Sequence, residues 1–228
     1  ARYRLKIVES KIGEAQHHLI LEDRDSAAAL LDPVWRRLRN QAPRPGSTEF
    51  ELFAMTQMRL GLALTGSDYE RAKPLLTEAV TLMEQALEHE PPRAVRHKFI
   101  RQIKLPATIL AEKNELKSAT EYAERAIYQS HLLREDYPTV AEYFHFLRGA
   151  CGRAQSVAEK RMRVARSEGD EHEYAAAKEY LDELLIRMAR DYDVHRLPAE
   201  AMAVREDAIE RLTAAIEQYP HRPDYYYC

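Results

Sequence analysis

The sequence predicts an all-α fold, an α-solenoid of about nine helices arranged as antiparallel hairpins. Apolar residues recur at steps of three and four along nearly the whole chain, as in residues 5–19, and this is the period of an amphipathic helix. Prolines recur at a near-constant interval, at Pro43, Pro91 and Pro138. Only 7 of the 228 residues are glycine, which is too few for an all-β protein with frequent turns.

Turn and capping residues divide the chain into the individual helices. The segment "QAPRPGSTEF" (41–50) separates the second helix from the third, and Asp68 is placed to cap the fourth. Pro33 and Pro74 indicate a bend or a later start in the second and fourth helices, and Pro106 indicates a kink in the fifth. We expect helices at about 5–19, 28–38, 48–64, 69–87, 93–112, 116–133, 139–167, 174–188 and 198–219.

The recurring prolines mark the boundaries between helical hairpins. "EDYPTVAEYF" (135–144) and "EQYPHRPDYYYC" (217–228) share the same Tyr-Pro phrase, and a proline cannot continue the helix before it but suits the first turn of the next. Such a period is typical of helical repeats, in which each hairpin buries its apolar face against its neighbours. We therefore predict an N-terminal hairpin over residues 1–40, followed by one continuous stack over residues 41–228.

Small residues within the hairpins carry a resemblance to a known family. In "MRLGLALTGSDYERAKPLLTEAV" (58–80), a Leu-Gly pair ending at Gly61 precedes Ala72 and Ala79, with Leu76 between these two alanines. This pattern resembles the tetratricopeptide-repeat family, and the long helices with Tyr-Pro boundaries are more weakly similar to tails of bacterial Ser/Thr protein kinases. The resemblance implies close helix packing at the small residues and a groove lined by the first helix of each hairpin. The same small residues recur at Ala119, Ala123, Ala126 and Ala177.

Composition bears on partners and compartment. The formal charge is -3 with both signs interspersed, so we expect no nucleic-acid partner, and no apolar run is long enough to predict membrane insertion. Cys151 lies within a helical pattern and Cys228 is the last residue. We expect Cys151 to be a buried thiol, and we expect a cytoplasmic, reducing compartment. Because the first residue is alanine, we expect a processed chain or a piece of a longer one.

Residues that could support catalysis are sparse. Glu14 with His17, and Glu142 with His145, have the spacing of ligand pairs in di-iron helical bundles. The two further glutamates that such a site needs would have to interrupt apolar faces, and none does, so surface histidines are the simpler interpretation. No nucleophile, phosphate-loop or zinc motif occurs. We therefore expect no enzyme activity, no cofactor and no metal site.

A cationic cluster is the strongest candidate for a binding site. In "RAVRHKFIRQIKL" (93–105), cations alternate with apolar residues, and Arg148 and Arg153 occupy comparable places in the next unit. A groove with this lining would bind a protein or peptide that is acidic or phosphorylated, whereas the alternative is a solvated helix face. The predicted groove residues are Arg96, Lys98, Arg101, Lys104, Arg148 and Arg153.

The last residues form a second candidate contact. Tyr225, Tyr226 and Tyr227 are consecutive, and tyrosines are frequent at interfaces because they combine an apolar ring with a hydroxyl group. We expect them to dock on the chain's own last hairpin or on a partner.

The sequence thus favours a non-catalytic protein–protein interaction module or scaffold that binds a protein segment in a helical groove. An autoregulatory or sensor tail of a larger signalling enzyme is the alternative. A di-iron helical-bundle enzyme comes third.

Overall fold

A computed structural model describes residues 2–89 and 91–194, together with residue 210. Within this part of the chain, every regular element is an α-helix and most consecutive helices pack on one another. The predicted all-α helical-repeat fold is confirmed. The helices are α1 (Arg2–Ile20), α2 (Arg24–Asn40), α3 (Thr48–Leu64), α4 (Tyr69–Leu87), α5 (Arg93–Ile103), α6 (Leu105–Glu112), α7 (Leu116–Asp136), α8 (Ala141–Glu168) and α9 (Glu171–Val194).

The helix boundaries follow local chemistry. Asp23, Ser47 and Asp68 each accept a hydrogen bond from the backbone N–H three residues further on, at 3.2, 3.2 and 3.1 Å, and such bonds satisfy donors at a helix start. Asp68 therefore caps α4 as predicted. Pro43, Pro91 and Pro138 all lie between helices, which confirms that they mark boundaries.

The prolines within the predicted helices differ in whether they interrupt the observed helix. Pro33 and Pro74 lie inside α2 and α4, which begin at Arg24 and Tyr69, so the later start considered for both helices is wrong. The predicted fifth helix is divided into α5 and α6, because Pro106 has no N–H to donate to the carbonyl four residues earlier. The predicted ninth helix at 198–219 lies outside the described residues, apart from residue 210.

The chain forms two compact units, Ala1–Ile109 and Leu110–Cys228. In the first unit, α1 and α2 pack against α3, so the N-terminal hairpin and the start of the predicted stack share one core. In the second unit, α8 packs against both α7 and α9. The continuous stack over residues 41–228 stays a prediction.

Small side chains lie at the helix contacts, as predicted. Ala79, Ala119, Ala126 and Ala177 are all buried, and so is the Cys151 side chain. None of the described helices combines the length and the apolar composition that a bilayer crossing requires.

Helix α3 is the centre of the first unit. It contacts α1, α2, α4 and α5, and most of its residues are buried. Its polar side chains find partners on the surrounding helices. Gln57 accepts from Trp35 Nε1 of α2 at 3.0 Å and donates to Glu78 of α4 at 2.9 Å, and Arg24 at the start of α2 donates to Thr65 at 2.9 Å.

At Gly61, α3 and α4 approach each other closely. A Cβ atom at this position would lie 2.8 Å from Leu76 Cγ and 3.1 Å from the Leu76 backbone nitrogen. Because a backbone atom cannot move aside as a side-chain end can, the α3–α4 packing requires glycine here. Ala72 and Ala79 of α4, which also carry the family resemblance, are buried.

We predict that Gly61→Ala destabilises the protein by about 1–3 kcal/mol, because the added methyl group overpacks the α3–α4 contact. Urea or thermal unfolding followed by circular dichroism measures the change. Gly152→Ala in α8 is the matched control, since its Cβ would meet no atom within 4 Å. That change should stabilise the protein by about 0.5–1 kcal/mol through helix propensity. Equal effects of the two substitutions would contradict the close approach at Gly61.

Glu124 links α7 to α9 in the second unit. Tyr180 donates a hydrogen bond to this carboxylate, and Arg187 donates to both of its oxygens at 2.9 and 2.7 Å. Burial would raise the pKa of Glu124, but the hydrogen bonds from Arg187 and Tyr180 and the charge of Arg187 outweigh burial and hold the pKa below its ordinary 4.5. Burial, with the hydrogen bond and charge of Glu124, raises the pKa of the Tyr180 hydroxyl. The ionised carboxylate is therefore the form that holds α9 to α7.

We predict that Glu124→Gln costs about 1 kcal/mol of unfolding free energy at neutral pH, a modest value because the pair is partly exposed. The folded-state pKa is depressed, so the stabilisation is complete above pH 4.5 and is lost as the pH falls through the lower folded-state value. The difference in unfolding free energy between the wild type and the variant should therefore become smaller in that acidic range. Urea unfolding at several pH values measures it, with Glu121→Gln, an exposed residue of α7, as the control. A difference that is constant down to acidic pH would contradict an ionised Glu124.

Candidate functional site

The first unit has a surface groove where α1, α3 and α5 meet. Its volume is about 710 Å³, within the size range of ligand sites in proteins. We call it the α1–α3–α5 groove. It is lined by Glu9, Ile12, Gly13 and Gln16 of α1, by Leu52, Met55 and Arg59 of α3, by His97, Lys98, Arg101 and Gln102 of α5, and by Lys104 and Leu105 where α5 gives way to α6.

The α5 side of the groove follows from the amphipathic pattern of that helix. Phe99, Ile100 and Ile103 are buried, so they fix which side of α5 faces the core. Lys98 and Arg101, three residues apart, are exposed and line the groove one turn from each other. Helix geometry therefore determines which cations of the segment line the groove.

Lys104 joins these cations at the C-terminal end of α5. α5 ends at Ile103 and Lys104 is its C-cap residue, with Pro106 in the first turn of α6. Lys104 and Leu105 therefore line the groove at the junction of the two helices.

Arg59 provides a cation of a different kind, because only 7% of it is exposed. Its Nη1 donates to the backbone carbonyl of Ile12 and its Nη2 to the Gln16 side-chain oxygen, each at 2.6 Å. Burial lowers the pKa of Arg59 to about 10, so the guanidinium stays charged at neutral pH. Among the described residues, no carboxylate lies within ion-pair distance of it.

Negative charge near the groove is limited. Of its lining residues in the described part of the chain, only Glu9 is acidic. Burial raises the pKa of Glu51 of α3, and the charge of nearby Lys98 lowers it by a smaller amount. The groove therefore carries a positive edge next to four apolar residues, Ile12, Leu52, Met55 and Leu105.

The predicted site residues are distributed over both units. Lys98, Arg101 and Lys104 line the α1–α3–α5 groove, whereas Arg96, half-buried on α5, does not. Arg148 and Arg153 lie on α8, in the second unit. Tyr225, Tyr226 and Tyr227 lie outside the described residues.

The candidate metal-ligand pairs are also in different units. Glu14 and His17 lie on α1, and Glu142 and His145 lie on α8. Among the described residues, no group of three or more His, Cys, Asp or Glu side chains is arranged to hold a metal ion.

Arg59 and Gln16 are groove residues that the sequence interpretation missed. The segment "FELFAMTQMRLGLAL" (50–64) offers a signal, because a helix that is apolar on nearly every side is buried. A cation in such a helix cannot reach solvent easily, so Arg59 was identifiable as a buried charge that needs partners. Their identity, on α1, was not identifiable from the sequence.

A second, smaller depression of about 320 Å³ lies between α8 and α9. Arg166 contacts Tyr174 there, with its Nη2 2.9 Å from the tyrosine hydroxyl and its guanidinium 4.9 Å from the ring centre. Leu181 and Met162 supply apolar lining. Its cations are thus accompanied by less apolar surface than those of the α1–α3–α5 groove.

Comparison with known proteins finds only distant structural similarity. No family model and no curated protein matches the chain. A solved structure described as "DHF119 filament" is 19% identical, with 97% of this chain and 100% of that chain covered and a TM-score of 0.49. Another, described as "DHF58 filament", is 19% identical over 95% of this chain and 97% of that chain, with a TM-score of 0.38. At these identities and TM-scores, neither similarity carries an argument about function.

Proposed function

We propose that this protein is a non-catalytic interaction module whose first unit binds a segment of a partner protein in the α1–α3–α5 groove. The observation that carries the proposal is the combination of apolar residues with cations in one groove of about 710 Å³. Apolar surface supplies binding free energy on burial, while the few polar groups of a site fix the orientation of its ligand.

The partner segment that fits this groove is acidic and amphipathic. Lys98 and Arg101 are exposed at its edge, and cations of this kind attract carboxylates and accelerate association. Ile12, Leu52 and Met55 would cover an apolar side chain of the same segment. Nucleic acid is a poorer match, because the chain as a whole carries a formal charge of -3.

We also propose that the α3–α4 hairpin is tetratricopeptide-like. The support is local, namely the close approach of Gly61 to Leu76 and the burial of Ala72 and Ala79. Modules of this kind bind protein segments in grooves lined by their first helices. α3, the first helix of this hairpin, contributes Leu52, Met55 and Arg59 to the groove.

The binding proposal can be tested with two peptide libraries on the full chain. One library places a central leucine among degenerate Asp and Glu positions, and the other has Asn and Gln at the same positions. We expect selective binding from the acidic library only, with an affinity that falls as salt increases, because exposed charges are screened. Equal recovery from both libraries, or no binding from either, would contradict the proposal.

We predict that Lys98→Gln with Arg101→Gln weakens the selected peptide about 2- to 30-fold. Each exposed ion pair contributes about 0.2–1 kcal/mol, and two such pairs are lost. Isothermal titration calorimetry measures the change. The matched control is Arg37→Gln with Arg44→Gln, which removes the same charge from exposed residues of the first unit that do not line the groove. An equal loss in both double variants would indicate a general charge effect and no groove contact.

A further inference from the structure

Within the described part of the chain, Arg59 has hydrogen-bond partners but no compensating charge. Its two acceptors, the Ile12 carbonyl and the Gln16 side-chain oxygen, are both neutral. Buried charges in proteins are usually paired with an opposite charge, because removing an ion from water is costly. The lowering of the Arg59 pKa to about 10 by burial is consistent with this cost. A negatively charged group would therefore gain more interaction free energy from contact with Arg59 than from contact with an exposed cation.

The position of Arg59 makes such an approach possible from one direction. It lines the α1–α3–α5 groove together with the apolar residues Ile12, Leu52 and Met55, so a ligand in the groove could reach it beside apolar side chains. A guanidinium has five N–H donors, and the two bonds to α1 leave three of them for a ligand. An anion at this place would be held in an environment that strengthens electrostatic attraction.

We propose that Arg59 forms a carboxylate-binding subsite that takes one Asp or Glu side chain of the bound segment. This inference rests on the binding function proposed above and names the group that decides its specificity. Lys98 and Arg101, which are exposed, attract the segment as a whole, whereas Arg59 selects one position within it. The ligand class is thus a protein segment with one essential carboxylate beside an apolar residue.

A carboxylate fits this subsite better than a phosphate group. The cost of burying an ion rises steeply with its charge, and a phosphate carries close to two negative charges at neutral pH. Arg59 already uses one N–H of each Nη in bonds to α1, so it cannot present its full set of donors to three phosphate oxygens. Glu9, on the α1 side of the same groove, repels a dianion more than a monoanion.

The first test uses the wild-type full chain and needs no substitution in the protein. Each acidic position of the selected library peptide is changed in turn, Glu to Gln or Asp to Asn, and the affinity is measured by calorimetry. We expect the substitution at one position to lower the affinity about 30-fold or more, as for a buried charge pair. Substitutions at the other positions should each lower the affinity about two- to fivefold, as for exposed pairs. A scan in which all positions have similar small effects would overturn the subsite while leaving the binding function intact. Absence of any peptide binding would overturn both.

The second test assigns the essential position to Arg59. Arg59→Met removes the charge and both hydrogen bonds to α1 while keeping the aliphatic length of the side chain. The preference for a carboxylate at the essential position should then fall to about two- to fivefold, the value of the other positions. Arg59→Lys keeps a charge, so it should retain part of the preference even if Arg59→Met does not fold. A full preference in a folded Arg59→Met variant, or none in a folded Arg59→Lys variant, would overturn the assignment.

The third test distinguishes the two anion chemistries. A peptide with phosphoserine at the essential position is compared with the peptide that carries glutamate there. We expect the phosphoserine peptide to bind about tenfold or more weakly, because of the greater cost of burying a dianion. Tighter binding of the phosphoserine peptide would overturn the carboxylate assignment in favour of phosphate.

Discussion

The first unit depends on one constraint, which is that α3 is enclosed by other helices and still carries polar side chains. Gln57 and Arg59 are both buried, and each unsatisfied polar group inside a protein costs about 1–3 kcal/mol. The surrounding helices must therefore present acceptors and donors at fixed places. Gln57 sets the positions of α2 and α4 through Trp35 and Glu78, and Arg59 sets that of α1. Apolar contacts stabilise this unit, while the polar contacts determine where the surrounding helices lie against α3.

The groove is a consequence of the same constraint. Arg59 holds α1 by the carbonyl of Ile12 and the side chain of Gln16. On another side of α3, α5 packs through Phe99, Ile100 and Ile103 and ends where Pro106 interrupts it. Two helices that contact a third at different places leave a depression between them, and side chains of all three line it. Features that appear separately in the sequence, a buried arginine in α3 and the cations of α5, therefore line one groove.

The sequence predicts local features of this protein better than it predicts which helices meet. Caps such as Asp68 and boundaries such as Pro138 depend on a few neighbouring residues, so they can be read directly. The later start considered at Pro33 failed, because the packing of α2 against α1 and α3 outweighs the hydrogen bond that the proline removes. The cations of α5 are visible in the sequence, whereas their grouping with Arg59 depends on tertiary contacts about 40 residues apart in the chain. Only the buried pattern of α3 hinted at the role of Arg59.

In the proposed binding mode, the two kinds of cation in the groove would have different roles in recognition. The exposed Lys98 and Arg101 act over several ångströms of water, so their attraction is general, is weakened by salt and tolerates many arrangements of acidic residues. Arg59 lies where water is largely excluded and its side chain is already fixed by two hydrogen bonds to α1. An interaction with it loses little conformational entropy and is screened little by salt, but it requires a carboxylate at one place. A segment bound only by the edge would dissociate as salt rises, whereas one that also reaches Arg59 would keep part of its affinity. The salt dependence of binding thus separates general attraction from specific recognition in this groove.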